Sequence, residues 1–222
     1  MTPNFLTTLK AGFPSGVSLP REIEMAVAWL EARGCVHRYN NAAAASYATL
    51  YPGKAWSDGA SLVTFEEVAP DFVRLYTKND APDPSTRLAM FVRSGGDGSR
   101  AGLWRDDAGR QHFVHCGSGS GSTLLGILTS DPVDFLRLLA IGYEELCWPD
   151  AFPLTPAAAR GRDAAFGKSI LSRPPVEFGN WVAETFGVRI PDRASDIVAQ
   201  APDMMDKSSN DPFWQWVTGL SR

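Results

Sequence analysis

Long apolar runs, basic charge, histidine and paired cysteines are all scarce in this 222-residue chain, and each scarcity argues against a class of function. No segment approaches the roughly 18 to 20 apolar residues of a membrane span. The opening MTPNFLTTLKAGFPSG has no basic region followed by a continuous apolar stretch, as a secretory signal would. The expectation is a cytoplasmic protein without membrane contact. A net charge of −4 supplies none of the basic field that non-specific nucleic-acid binding requires, so a basic protein partner suits the chain better than an acidic one. The three cysteines, Cys35, Cys116 and Cys147, are odd in number and far apart, which indicates neither a disulfide framework nor a zinc motif. Buried thiols are the simplest reading. The three histidines, His37, His112 and His115, are too few and too scattered to define a metal site, and no cofactor is expected.

What the chain does have is 44% hydrophobic residues, enough for an ordinary core. Leu19 to Arg33 places Ile23, Ala26, Val27 and Leu30 on one helical face, and Gly34 stands where a helix would stop. Cys35 to Tyr39 reads as a short strand or an extended link. Asn41 to Leu50 is alanine-rich and predicts a short helix before Tyr51-Pro52-Gly53. Ser61 to Val68, Phe72 to Thr77 and Leu88 to Arg93 predict strands, with Asn79 to Ser85 as a turn-forming link.

The centre of the chain is the most distinctive. Leu103-Trp104 runs into the turn Asp106-Asp107-Ala108-Gly109, Gln111 to Cys116 suits a strand with one covered face, and Thr123 to Leu128 a buried strand with a bulge near Gly126. A helix then begins at Asp131, which caps it, with Pro132 in the first position and Asp134 at the positive end of the dipole. Phe135, Leu138, Leu139, Gly142, Tyr143 and Leu146 continue its apolar stripe. Beyond Pro149, helices are predicted across Ala157 to Ile170, at Val176 to Phe186 with Gly187 as its stop, at Asp192 to Gln200, and from Asp211-Pro212 onward.

The acidic-glycine hairpin, the strand ending in a small-residue loop and the helix DPVDFLRLLAIGYEEL resemble the SUKH superfamily, which includes bacterial immunity proteins and the yeast Smi and Knr regulators. SYATLYP, from Ser46 to Pro52, adds a weaker likeness. The resemblance implies a non-enzymatic domain that neutralises a cognate toxin by covering its functional surface. The fold expected is α+β: a mostly antiparallel sheet of about five or six strands flanked by helices in residues 1–150, with a helical extension in residues 151–222 packed on the same domain.

The chemistry-bearing residues each have a bland reading and a functional one. The loop Gly117 to Ser122 offers backbone N–H groups to a phosphate only if it opens a helix; a strand is expected next, so a hairpin loop is preferred. His112 and His115 differ by an odd number and point to opposite strand faces. The acid pairs Glu66-Glu67, Asp106-Asp107 and Glu144-Glu145 are solvated surface charges or complements to a basic protein. Trp29, Trp181 and Trp216 fall in helical patterns; Trp56, Trp104 and Trp148 lie near turns, and core packing is preferred for each over service as a half-exposed anchor. Under the immunity reading the partner-binding candidates are Trp56, Glu66, Glu67, Trp104, Asp106 and Asp107. The alternatives are a small-molecule enzyme with a site built from His37, His112 and Cys116, and a regulatory scaffold docking through Trp214 and Trp216.

Overall fold

Seven short extended runs pair antiparallel in the order in which they occur in the chain: β1 (Val36–Arg38), β2 (Ser46–Thr49), β3 (Thr64–Glu66), β4 (Leu88–Arg93), β5 (Arg100–Arg105), β6 (Gln111–Cys116) and β7 (Leu125–Thr129). The computed structural model describes residues 4–40, 45–53, 59–79, 82–164 and 172–220. Among these, eight α-helices accompany the sheet: α1 (Phe5–Ala11), α2 (Arg21–Ala32), α3 (Phe72–Thr77), α4 (Pro82–Arg87), α5 (Pro132–Ile141), α6 (Pro156–Ala164), α7 (Val176–Phe186) and α8 (Pro212–Leu220). The class is α+β, with one or two more strands than expected.

Side-chain alternation divides the sheet into two covered faces. Ala48, Phe65, Phe91, Leu103 and Phe113 pack in one apolar cluster with Ile23 and Leu30 of α2, Phe135 and Leu139 of α5, and Phe178 and Val182 of α7. The rings of Phe113 and Phe135 stack at 4.2 Å. The opposite face carries Leu88, Met90, Trp104, Val114 and Leu125 against Val73 of α3 and Phe213, Trp214 and Val217 of α8. Residues beyond 150 thus complete both layers.

Helix α5 starts as the sequence predicts, with the Asp131 carboxylate accepting from the N–H of Val133 at 2.7 Å and of Asp134 at 3.1 Å. It ends at Ile141 rather than Leu146, because Gly142 takes φ 84°, a region that glycine enters without a Cβ penalty. Two further expectations are corrected. Within Asn41 to Leu50, Ser46–Thr49 is strand β2, not helix, and residues 41–44 lie outside the described part; pairing with both β1 and β3 and the burial of Tyr47 and Ala48 outweigh the small helical preference of alanine. Phe72–Thr77 is helix α3, not a strand. Val73 and Thr77, one turn apart, are both buried, and Phe72 stacks on Tyr76 at 5.1 Å on the neighbouring stripe. Within Asn79 to Ser85, residues from Pro82 onward form α4. Asp192 to Gln200 shrinks to one 3-10 turn, Ala194–Asp196.

The free edge of β7 is sealed by the tail. The N–H of Leu125 donates to the Pro202 carbonyl at 3.0 Å and the N–H of Ile127 to the Asp211 carboxylate at 2.9 Å. A Cβ on Gly126 would stand 2.1 Å from Pro202, so glycine lets the tail approach. The bulge expected in this strand falls at Leu128, between the residues that pair with Phe113 and Val114.

Candidate functional site

The break at Gly142 turns the chain out of α5 and across the ends of β3 and β4. There the Leu62 N–H donates to the Glu144 carbonyl at 2.7 Å and the Leu146 N–H to the Ser94 carbonyl at 2.8 Å. Tyr143 is held from below: its hydroxyl donates to the Leu154 carbonyl at 2.5 Å and accepts from the Ala194 N–H at 2.9 Å. The Glu145 carboxylate is fixed between the Gly96 N–H, at 2.6 Å, and the Trp148 indole N–H, at 2.5 Å. Pro149 then opens a 3-10 turn, and α6 brings Ala159 and Arg160 back over the segment.

These residues enclose a cavity of about 280 Å³ lined by Tyr143, Glu144, Glu145, Trp148, Asp150, Ala151, Pro156, Ala159 and Arg160. Among the described residues its walls carry three carboxylates against one guanidinium, and Arg160 is already paired with Glu144 at 3.0 Å. Trp148, 38% exposed, stands at the rim while its indole N–H is anchored on Glu145. An acidic recess with an aromatic edge favours a cation, by Coulomb attraction and by contact with the ring face.

Of the partner-binding candidates, few face solvent. Trp104 is 3% exposed and packs against Phe213 and Trp216, so it is a core ring. Glu66 is buried between the Tyr39 hydroxyl and Arg100, whose Nη1 lies 2.8 Å from Glu66 Oε2. Glu67 is half-buried and accepts from the Ser46 N–H at 2.9 Å. Asp106 closes the hairpin turn by accepting from the Arg110 N–H at 2.8 Å. Asp107 is exposed and paired with Arg87 at 2.8 Å. Trp56 lies outside the described residues.

The three residues of the enzyme alternative are not brought together. His37 is on β1, whereas His112 and Cys116 share β6, five strands away, which is about 24 Å at the usual strand spacing. His112 instead joins a relay that the sequence reading missed. Its Nδ1 is 2.7 Å from Ser130 Oγ and its Nε2 3.1 Å from Asp106 Oδ2. Burial raises the Asp106 carboxyl, but the hydrogen bonds from His112 and Arg110 outweigh it and hold the group well below the usual carboxylate range. The order Ser–His–Asp is that of a serine triad but with the ring nitrogens exchanged, Nδ1 rather than Nε2 facing the hydroxyl, and Ser130 sits exposed between β7 and α5. An acyl-transfer site also needs free N–H donors for the oxyanion. Here the Asp131 N–H is held by Thr129 Oγ1, those of Val133 and Asp134 by the Asp131 side chain, and Pro132 has none. The relay links the β5–β6 hairpin to the β7–α5 junction.

His115 and the glycine-serine loop are structural in the same sense. His115 is fully buried, with Nε2 2.8 Å from Ser94 Oγ and Nδ1 2.9 Å from the Leu124 carbonyl; burial lowers its pKa to about 4 against the raising influence of that carbonyl and Asp97. The loop Gly117 to Ser122 turns its donors inward: the N–H groups of Gly117, Ser118, Gly119, Gly121 and Ser122 all have partners within the protein. It wraps the Asp97 carboxylate, which accepts from the Ser122 N–H at 2.9 Å and the Ser118 hydroxyl at 2.7 Å. Among the described residues, no cluster of three or more His, Cys, Asp and Glu side chains is placed to hold a metal ion, and no helix is long and apolar enough to cross a membrane.

No family model, curated protein or solved structure matches this chain.

Proposed function

We propose that this protein is a binding domain of the immunity type, which neutralises a cognate toxin by occluding its functional surface and recognises it through a basic side chain. The observation that carries the reading is the acidic cavity rimmed by Trp148, with Glu144, Glu145 and Asp150 in its walls. A lysine or arginine presented by the partner would enter beside the indole and meet the carboxylates, while the surrounding surface excludes water. Deep, aromatic-edged pockets of this kind are where interfaces concentrate their binding energy, and clustered acids speed encounter with a basic surface. The likeness of residues 103–146 to SUKH domains supports the same reading. Because Glu66, Trp104 and Asp106 are used inside the fold, the contact surface proposed here is residues 143–160 and not the hairpin.

The test is a titration against the toxin encoded beside this gene, together with rescue of cells that express it. Trp148→Ala should weaken binding by at least roughly thirtyfold, the equivalent of about 2 kcal/mol, and abolish rescue, with the melting temperature as a control for folding. Asp107→Asn, on the opposite side of the sheet's turns, should change little. Absence of binding, or equal affinity of Trp148→Ala and the native chain, ends the reading.

A further inference from the structure

Strands β4 and β5 place two arginines directly opposite each other: Arg93 pairs with Arg100 in the register of the sheet. Facing like charges destabilise a ladder. Among the described residues, one acid, Glu66 on β3, shares a cavity of about 260 Å³ with Tyr39, Arg93, Gly98 and Arg100. Glu66 is spent on Arg100, at 2.8 Å, and on the Tyr39 hydroxyl. Among the described residues, Arg93 has neutral acceptors: its Nε donates to the Gly95 carbonyl at 3.2 Å and its guanidinium meets Tyr39. The recess thus holds two guanidinium groups against one carboxylate.

Arg100 also lines a second cavity, of about 410 Å³. That one is apolar, walled by Ala69, Pro70, Phe72, Leu75 and Tyr76. Its acid, Asp71, is paired with Arg74 at 3.3 Å. Leu75 is 67% exposed, on the side of α3 away from the buried Val73 and Thr77, and it lines this cavity. A cationic recess and an apolar one therefore meet at a single arginine, and the apolar one is of the size that small-ligand sites occupy.

We propose that this two-part groove binds a small monocarboxylate with an alkyl chain, the carboxylate lying against Arg93 and Arg100 and the chain along Phe72, Leu75 and Tyr76. The planar guanidinium fork matches a carboxylate, and an anion placed between the arginines relieves their opposition. The alkyl portion covers the exposed Leu75. This site is separate from the acidic cavity at Trp148 and does not depend on the reading given above.

Calorimetric titration of the full chain with octanoate, acetate and inorganic phosphate tests the proposal. Octanoate should bind and raise the melting temperature, and acetate should bind at least tenfold more weakly. Leu75→Asp, a change at an exposed position, should weaken octanoate at least tenfold with an unchanged melting temperature in the absence of ligand. Arg93→Gln should weaken it similarly without stranding Glu66, which stays paired with Arg100. The proposal is overturned if octanoate fails to bind or lowers the melting temperature, if acetate or phosphate binds as tightly, or if both variants bind octanoate like the native chain. Tighter binding of a leucine-ended peptide than of octanoate would also overturn it, in favour of a protein terminus.

Discussion

Asp211 holds two parts of the fold with one side chain: Oδ2 accepts from the Ile127 N–H on β7 at 2.9 Å, and Oδ1 accepts from the Trp214 N–H in the first turn of α8 at 2.9 Å. A helix cap and a sheet edge therefore share a carboxylate.

Replacing Asp211 with alanine removes a charged hydrogen bond to the edge and a helix cap together. The combined loss should be about 3 kcal/mol. For a chain of this size that corresponds to a melting temperature lower by roughly 6 to 12 °C. Differential scanning calorimetry checks it, and a shift under about 2 °C would show that neither bond matters in solution.

Acid should destabilise the protein in two steps, because the buried His115 and the half-buried Asp97 titrate differently in the folded and unfolded chain. Burial lowers His115 to about 4 from its ordinary 6.5, so the unfolded chain binds the proton first, and stability present above 6.5 falls as the pH drops toward 4. Burial raises Asp97, but its hydrogen bonds from Ser122, Ser118 and Ser99 prevail and hold it at about 2, below its ordinary 3.8. Its contribution is present above 3.8 and is lost as the pH falls toward 2. Urea midpoints measured from pH 8 to pH 2 should show both declines. His115→Gln should flatten the upper one, and Asp97→Asn the lower.

The three thiols should be unreactive in the native state. Cys35, Cys116 and Cys147 are all buried. Burial pushes Cys35 up to about 11 and Cys116 and Cys147 higher still, so little of the attacking thiolate is present at neutral pH. Iodoacetamide labelling followed by mass spectrometry should find essentially none modified in buffer and all three in 6 M guanidinium. Prompt labelling of Cys147 without denaturant would mean that the segment after Gly142 opens readily.

Truncating the ring that joins sheet to helix should be costly. Phe113→Ala removes one member of the stacked Phe113–Phe135 pair, where both rings are at most 1% exposed. A loss of about 3 to 5 kcal/mol is expected, read from the urea midpoint. A loss below about 1 kcal/mol would mean that the neighbours collapse into the space.

Where the sequence carries local signals, the fold is legible in it. Asp131-Pro132 marks the start of α5, Gly187 the end of α7, and Asp106 to Gly109 the β5–β6 turn. Phe72 to Thr77 is misread because VRLYT suits a strand by composition, and only burial of residues four apart makes it a helix. Ser46–Thr49 becomes a strand through its partners on both sides, which no local window contains. The candidate site is half legible. Trp148 and the Glu144-Glu145 pair stand out as features, but the cavity exists because Gly142 ends the helix early and α6 returns Arg160 to Glu144. The pairing of Ser130 with His112 joins residues 18 apart across a register that contains a bulge.

The strictly sequential sheet has a consequence for biosynthesis. Each strand can dock on its predecessor as it leaves the ribosome, so β1 to β7 need no later segment to find their neighbours. The outer rim of β7 is different: Leu125 and Ile127 keep open N–H groups until residues 202–211 have been made. A nascent chain paused before that point presents an adhesive border to other chains, and translation speed through the last stretch sets how long it stays exposed.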